Sequence, residues 1–160
     1  RAGNVIGGGD WAENRLIPDI IRAYKNNKKL KIRSIGSTRP WLHILDVLSA
    51  IHLIIHKKFK DNKINIFNLS PKEGNQVSVK KILRLINEKT EIKSLKKNII
   101  KNKISEKKYL KLSSNKIKNQ LGWESKLNLV IGLILTVKLY LTKKNNLFLE
   151  AEKQILDFFN

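Results

Sequence analysis

A cluster of three glycines is the first feature of the sequence that could support chemistry. Residues 2–6 are predicted to form a short buried strand that runs directly into glycines 7–9. Glycines after a strand suggest a phosphate-binding loop, because backbone N–H groups can then approach an anion closely. A dinucleotide-binding fingerprint would need a further glycine at position 12, which is Ala12, and no P-loop sequence occurs in the chain. A tight turn between a strand and a helix therefore stays open as the alternative.

Two histidines have a spacing that could bind a metal ion. His52 and His56 lie four residues apart, on one face of a predicted helix. A zinc site would also need a third ligand or the glutamate of a His-Glu-x-x-His motif, and the neighbouring sequence offers neither. The sequence contains no cysteine, which excludes disulfides, thiolate metal sites and a cysteine nucleophile. We therefore predict no metal site, and we interpret His43 as structural.

The charge of the chain raises the question of a polyanionic partner. The formal net charge is +20, but lysine outnumbers arginine 27 to 6 and the lysines are spread over the whole sequence. Lysine is encoded by A/T-rich codons, so genome composition alone could raise its frequency. We interpret the charge as a solvated surface and predict no nucleic-acid partner; a polyanionic partner stays open.

The elements that would position these residues are predicted from hydrophobic periodicity, from capping residues and from Gly and Pro. Helices are predicted over 15–26, 45–58, 78–90, 113–123, 127–144 and 148–159. Strands are predicted over 2–6, 30–35, 64–70 and 109–112, with a loop at 36–41 and a weak strand followed by a mobile loop in 92–108. The longest apolar stretch has nine residues, too few for a bilayer that needs about 20. No signal peptide is visible and no linker divides the chain, so we predict one α/β unit over 1–160, without a membrane partner.

Several stretches resemble one enzyme family, in the order in which that family carries them. The first, RAGNVIGGGDWAENRLIPDIIRA, closely resembles the substrate-side segment of the CDP-glucose 4,6-dehydratases, which are extended short-chain dehydrogenases/reductases. RPWLHILDVLSA resembles the family's Arg-Pro-Trp-x-His block, and FNLSP its asparagine-containing strand end. EKKYLKLSSNKIKNQLGW and LEAEKQILDFF are similar to its Leu-Gly-Trp region and its closing helix.

This resemblance implies a fold and indicates which half of the enzyme carries which function. We expect the last strands of a Rossmann-like sheet together with the small, mostly helical substrate-binding domain. Family members carry an NAD-binding Rossmann half first, so we expect that half, with its NAD and its catalytic Tyr-x-x-x-Lys pair, to be absent here. Tyr24–Lys28 and Tyr140–Lys144 have the same spacing, which we attribute to chance. Both pairs come after the Asn4 segment, whereas the family's catalytic pair comes before it. We therefore predict no catalytic residue in this chain.

The resemblance also assigns substrate-binding residues. It implies that Arg39 binds the diphosphate bidentately; a surface arginine stacked on Trp41 is the alternative. Asn4 would present its amide to the diphosphate or the hexose, or else tie down the glycine turn. Arg15 aligns with a basic position near the diphosphate. Leu16, Ile17 and Pro18 are assigned to a wall against the base, although they could equally be core residues. Asn68 is assigned to the nucleotide side, although it could equally form a turn.

The chain departs from the family at two places. Ser105, Glu106 and Lys107 stand where the family tends to have His-Glu-Ala, and Ser113 stands where it has an aspartate. The expected function is that of the nucleotide-sugar-binding portion of a CDP-glucose 4,6-dehydratase, which uses NAD to make a 4-keto-6-deoxy sugar. The resemblance further implies a cytoplasmic homodimer that serves O-antigen sugar synthesis. The alternatives are an enzyme for dTDP-, GDP- or UDP-sugars, a basic module for RNA or anionic surfaces, and a truncated gene product.

Overall fold

The computed structural model describes residues 1–58, 64–72, 76–100 and 108–160 of the 160-residue chain. Its helices are α1 (Leu16–Lys25), α2 (Ile44–His56), α3 (Val79–Lys89), α4 (Asn115–Leu121), α5 (Leu129–Leu141) and α6 (Leu147–Phe159), with a 3-10 turn at Lys144–Asn146. Its strands are β1 (Asn4–Ile6), β2 (Leu30–Ile32), β3 (Thr38–His43), β4 (Gln76–Ser78) and β5 (Lys97–Ile99). The expected departure at residues 105–107 lies outside the described residues.

The strands form two small sheets. In the first, β3 is the central strand, parallel to β1 through Trp41–His43 and antiparallel to β4 through Thr38–Pro40. In the second, β2 and β5 pair in parallel. The central strand thus changes partner halfway along its length, and this change joins the Asn4 strand to the Arg39 segment.

Two hydrophobic clusters hold the helices to these sheets. The larger one packs α1, α3 and α5 around Trp41, Ile82 and Leu133. The smaller one lies beneath α2 and contains Leu42, Phe67 and Trp123. Trp41 and Leu42 belong to different clusters because successive side chains of a strand point to opposite faces of the sheet.

The predicted loop at 36–41 is wrong in its second half, because β3 begins at Thr38. Pro40 had suggested a loop, since proline has no N–H to donate within a sheet. The residue is tolerated here because it lies where the pairing passes from β4 to β1, with Gln76 opposite Pro40 and Asn4 opposite Trp41. Arg39 is consequently held in a strand and not in a loop.

Two predicted strands are reduced to single bridges. The strand predicted over 64–70 was the most strand-like segment of the sequence, yet it pairs through one Ala2–Leu69 bridge. Leu69 N–H donates to the Arg1 carbonyl at 2.7 Å, so its backbone partner is the segment just before β1, at Arg1 and Ala2. The strand predicted over 109–112 forms one bridge between Thr38 and Tyr109. β-Propensity favoured extended backbone, but whether a ladder forms also depends on the neighbouring strands.

The six predicted helices are confirmed, with ends shifted by a few residues. Ser78 caps α3 as expected, since its hydroxyl accepts the Lys81 N–H at 3.2 Å, and Gly122 is the C-cap of α4. Ser114 occupies the N-cap position of α4 but makes no capping bond through its side chain. Among the helices described, none combines the length and the apolar character that crossing a bilayer requires.

Candidate functional site

A cleft of about 840 Å³ opens between α1, β2 and the start of β3. Four of the residues singled out from the sequence line it together: Asn4, Arg15, Leu16 and Arg39. Asn4 comes from the strand next to β3, and Arg15 and Leu16 come from the beginning of α1. The two polar side chains expected at a diphosphate, Asn4 and Arg39, thus border one cavity although 35 positions separate them in the sequence.

A smaller cavity of about 50 Å³ adjoins this cleft and contains the other predicted wall residues. Ile17 and Pro18 line it, together with Asn4, Arg15 and Leu16, which border both spaces. Ile17 and Pro18 are buried, and Ile17 is part of the larger hydrophobic cluster. Their packing in the core is therefore established, whereas contact with a base stays a prediction.

Asn68 is the predicted site residue that the structure does not bring to these spaces. It lies in the segment before Leu69, half-buried, and it lines neither of the two cavities. Its role on the nucleotide side stays a prediction. A position in the large cleft supports the roles predicted for Asn4 and Arg39, but Asn68 does not line that cleft.

The cleft is strongly cationic. The described residues that line it include seven cationic side chains and two acidic ones: Arg15, Arg22, Lys28, Lys29, Lys31, Arg33 and Arg39, with Glu13 and Asp19. One of the acids is already paired, since Arg22 Nη2 lies 2.5 Å from Asp19 Oδ1. A concave surface lined by one sign of charge concentrates ligands of the opposite sign. The electrostatics of the cleft therefore favour a multiply charged anion.

Arg39 is held by its own strand. Its Nη1 donates to the Thr38 carbonyl at 3.0 Å, and the side chain is half-buried. The neighbouring Trp41 is 3% exposed, and its indole N–H donates to the Val77 carbonyl at 2.9 Å. A guanidinium has five N–H donors in a planar fork, which is the geometry that matches an oxyanion such as a phosphate.

The beginning of α1 borders the cleft through Arg15 and Leu16. Arg15 is the N-cap residue, with extended backbone and no capping bond from its side chain. The first N–H groups of a helix have no partner within it, and this end of the helix dipole is positive. Pro18 is the third helical residue, where its missing N–H costs nothing, as the sequence predicted. The helix thus begins where an anion in the cleft would meet it.

The segment between β1 and α1 is anchored by residues that the sequence did not identify. The Tyr140 hydroxyl donates to the Asp10 carbonyl, and the Trp11 and Tyr140 rings form a T-shaped pair with their centroids 4.9 Å apart. Burial raises the pKa of Tyr140 to about 12, which keeps the phenol protonated as a donor. These contacts give Tyr140 a structural role. Its match to a Tyr-x-x-x-Lys spacing had drawn attention to the residue, but no local signal linked it to Asp10.

The histidines contribute to structure in this part of the molecule. The Nδ1 atom of His43 accepts the Leu45 N–H at 3.3 Å and so caps α2. The rings of His52 and His56 lie 4.2 Å apart between centroids, as expected for helical neighbours. Within residues 1–58, 64–72, 76–100 and 108–160, no group of three or more His, Cys, Asp or Glu side chains could hold a metal ion.

Comparison with known proteins assigns this architecture to a family. Residues 8–133 match the family model described as GDP-mannose 4,6 dehydratase. The chain belongs to this family. It is 32% identical, over its whole length, to the CDP-glucose 4,6-dehydratase of Salmonella typhimurium, of which it covers 46%. The family resemblance seen in the sequence is thereby confirmed.

Solved structures of nucleotide-sugar enzymes share the fold. The NAD complex of dTDP-glucose 4,6-dehydratase from Bacillus anthracis superposes with a TM-score of 0.75 at 24% identity, over 91% of this chain and 44% of that one. The Bacillus cereus UDP-glucuronic acid 4-epimerase, in complex with UDP-glucuronic acid and NAD, has a TM-score of 0.71 at 24% identity, over 83% of this chain and 41% of that one. The expected α/β fold class is confirmed. The chain spans about half the length of the curated dehydratase that it matches over its whole length.

Proposed function

We propose that this chain is the nucleotide-sugar-binding portion of a CDP-glucose 4,6-dehydratase. The observation that carries the proposal is the shared cationic cleft bordered by Asn4, Arg15 and Arg39. The 32% identity with the Salmonella typhimurium enzyme supports CDP-glucose as the substrate. A sugar diphosphate has the charge that such a cleft favours, and its volume suits a cavity of this size.

Each predicted side chain has a chemical role in this proposal. Arg39 binds the diphosphate through its planar fork, which matches two phosphate oxygens at once. Arg15 and the first N–H groups of α1 add positive potential at the same wall. Asn4 donates its amide to the diphosphate or the hexose, and Leu16 with Ile17 and Pro18 forms the apolar side against the base. Asn68 is assigned to the nucleotide side on the family resemblance alone.

The cofactor of the whole enzyme is proposed to be NAD. When bound by the part of the enzyme outside this chain, NAD would supply reversible hydride transfer, from C4 of the sugar and back to C6 once water has been lost across C5 and C6. The glycines of this chain do not fit a cofactor loop, because Ala12 breaks the fingerprint and a side chain on Gly8 would collide with Leu139 of α5. We therefore assign to this chain the binding and orientation of the substrate and no chemical step.

The proposal extends to the whole protein through the family resemblance. We propose a cytoplasmic homodimer whose 4-keto-6-deoxy product enters O-antigen sugar synthesis. The solved structures support the nucleotide-sugar class, since the Bacillus cereus epimerase was solved in complex with UDP-glucuronic acid.

Calorimetric titration with CDP-glucose tests the assignment. We expect Arg39→Gln to weaken binding at least about tenfold, because charge-assisted hydrogen bonds contribute about 1.5–3 kcal/mol each. Arg39→Lys keeps the charge but not the planar fork, so its affinity should lie between those of the unaltered chain and Arg39→Gln. Arg84→Gln is the matched control, since Arg84 pairs with Glu88 on the exposed surface of α3.

Titrations with dTDP-glucose, UDP-glucose and GDP-mannose test the base. If one of these ligands binds more tightly than CDP-glucose, the substrate belongs to a sister enzyme of the family. If Arg39→Gln binds all four ligands as tightly as the unaltered chain, the cleft is not the diphosphate site.

A further inference from the structure

We propose that Arg22 is a positioning residue that holds the substrate-facing loop, residues 10–15, in its binding conformation. The proposal rests on the function proposed above and adds a residue for which neither the sequence nor the resemblance suggested a role. Arg22 lies on α1 and borders the cleft. Its guanidinium, however, is directed to the loop and to its own helix.

The guanidinium of Arg22 binds three acceptors at once. Nη1 donates to the Trp11 carbonyl at 2.9 Å, and Nη2 donates to the Ala12 carbonyl at 3.0 Å. Nη2 also lies 2.5 Å from Asp19 Oδ1, one turn earlier on α1. The carboxylate fixes the rotamer of the arginine, and the arginine in turn fixes two successive carbonyls of the loop. A planar fork can do this, whereas a lysine ammonium acts as a point charge.

The loop needs such an anchor because its ring contacts are confined to Trp11, which packs on Tyr140 and lies under Lys25 Nζ. Every residue from 10 to 15 is exposed, and Asn14 adopts a left-handed backbone conformation with φ 61°. The contacts that order the loop are therefore mostly polar: the Arg22 fork, the Tyr140 hydroxyl on Asp10, and Arg33 on the Asn14 side chain. Loops with few buried apolar contacts belong to the least stable parts of a fold.

The anchored loop carries part of the cleft wall. Glu13, Asn14 and Arg15 all line the large cavity, and they directly follow the two carbonyls that Arg22 holds. A loose loop would have to be ordered again each time a ligand bound, and ordering a segment on binding lowers the affinity. Arg22 thus acts on the ligand through the loop, without needing to touch it.

The test compares Arg22→Gln and Arg22→Lys with the unaltered chain and with Arg84→Gln. The control removes another arginine that pairs with an acid of its own helix, away from the loop. Three measurements are made on each chain: the dissociation constant for CDP-glucose, acrylamide quenching of tryptophan fluorescence, and the rate of tryptic cleavage after Arg15. Quenching reports mainly on Trp11, which is 50% exposed, whereas Trp41 and Trp123 are each 3% exposed.

We expect Arg22→Gln to increase quenching and cleavage after Arg15, and to raise the dissociation constant roughly tenfold. Arg22→Lys should show a smaller change in the same direction, and Arg84→Gln should show none. Far-UV circular dichroism verifies that the variants stay folded.

Two outcomes would overturn the proposal: quenching and cleavage unchanged in Arg22→Gln, or a loosened loop with an unchanged dissociation constant. If the unaltered chain binds none of the four sugar nucleotides, the proposed function fails, and the positioning role fails with it. That failure is recognisable because it appears before any substitution is made.

Discussion

His43 shows how burial sets the properties of a single residue. The ring is 4% exposed, and burial lowers its pKa to about 4. The neutral ring can accept the Leu45 N–H and cap α2, which a protonated ring could not do. Asp46, one turn further on, is fully buried; burial raises its pKa, opposed by hydrogen bonds from the Lys126 and Leu127 backbone. The pKa shifts of these two residues change the free energy of unfolding in opposite directions as the pH falls. A variant is therefore needed to separate their contributions.

At the residue scale, we predict a loss of stability at mildly acidic pH that depends on His43. Its folded-state pKa lies below the unfolded value of 6.5, so the unfolded chain binds the proton more readily between pH 6.5 and about 4. The stability is therefore complete above pH 6.5 and declines as the pH falls, by up to about 1.4 kcal/mol per unit. Urea unfolding at pH 7, 6, 5 and 4.5 measures this decline.

The comparison is with His43→Asn, which keeps a short capping acceptor but does not titrate. We expect the free energy of unfolding of this variant to vary less steeply with pH, since the contribution of Asp46 is common to both proteins. Equal pH dependence in the two proteins would show that His43 is not the responsible group.

At the scale of elements, the glycine loop (residues 7–9) packs against α5. Gly8 lies so close to α5 that an added Cβ would be 2.3 Å from Leu139 Cδ2 and 2.7 Å from Leu139 Cβ. Gly9 has a φ of 89°, a conformation that glycine adopts without strain. The cluster therefore allows the loop to turn and to pack on α5. Of the two possibilities raised by the sequence, the structure favours the turn.

We predict that Gly8→Ala lowers the free energy of unfolding by about 1–3 kcal/mol, the usual cost of overpacking. The near contact includes the Cβ atom of Leu139, so rotation of that side chain cannot relieve it. Gly36→Ala is the matched control, because an added Cβ there has nothing within 4 Å. It should be neutral or slightly stabilising. A Gly8→Ala chain with the same urea midpoint as the control would show that the loop can move away from α5.

At the scale of the whole molecule, the described surface combines a cationic cleft with exposed apolar side chains on two helices. Cationic side chains line the cleft, whereas α2 and α6 expose large apolar residues, among them Ile55 at 71%, Phe148 at 75% and Leu149 at 62%. α6 buries Gln154 and Phe158 on one face and exposes apolar side chains on another. Large exposed apolar side chains, where they adjoin one another, promote association.

We predict that the 160-residue chain associates with itself through α6 as its concentration rises. Phe148→Ser combined with Leu149→Ser should lower the weight-average mass in sedimentation experiments without changing the urea midpoint, since both side chains are exposed. Lys153→Ser is the control, because it changes an exposed polar residue of the same helix. An unchanged mass in the double variant would place the association surface elsewhere.

The sequence by itself determined the helices to within a few residues of their ends, because helices depend on residues close together in the chain. The spacing of Leu and Ile placed α3, and Ser78 marked its beginning. The family resemblance added the residues of the cleft, and the structure brought Asn4, Arg15, Leu16 and Arg39 together there.

Only the tertiary structure decided which distant segments meet. Tyr140 reaches the Asp10 carbonyl across 130 positions, and β3 divides its length between two partners. The strand predicted over 64–70 has the right composition but pairs with Ala2 through a single bridge at Leu69. Pairing and loop anchoring depend on where other elements pack, and the periodicity of a single segment contains no information about its neighbours in space.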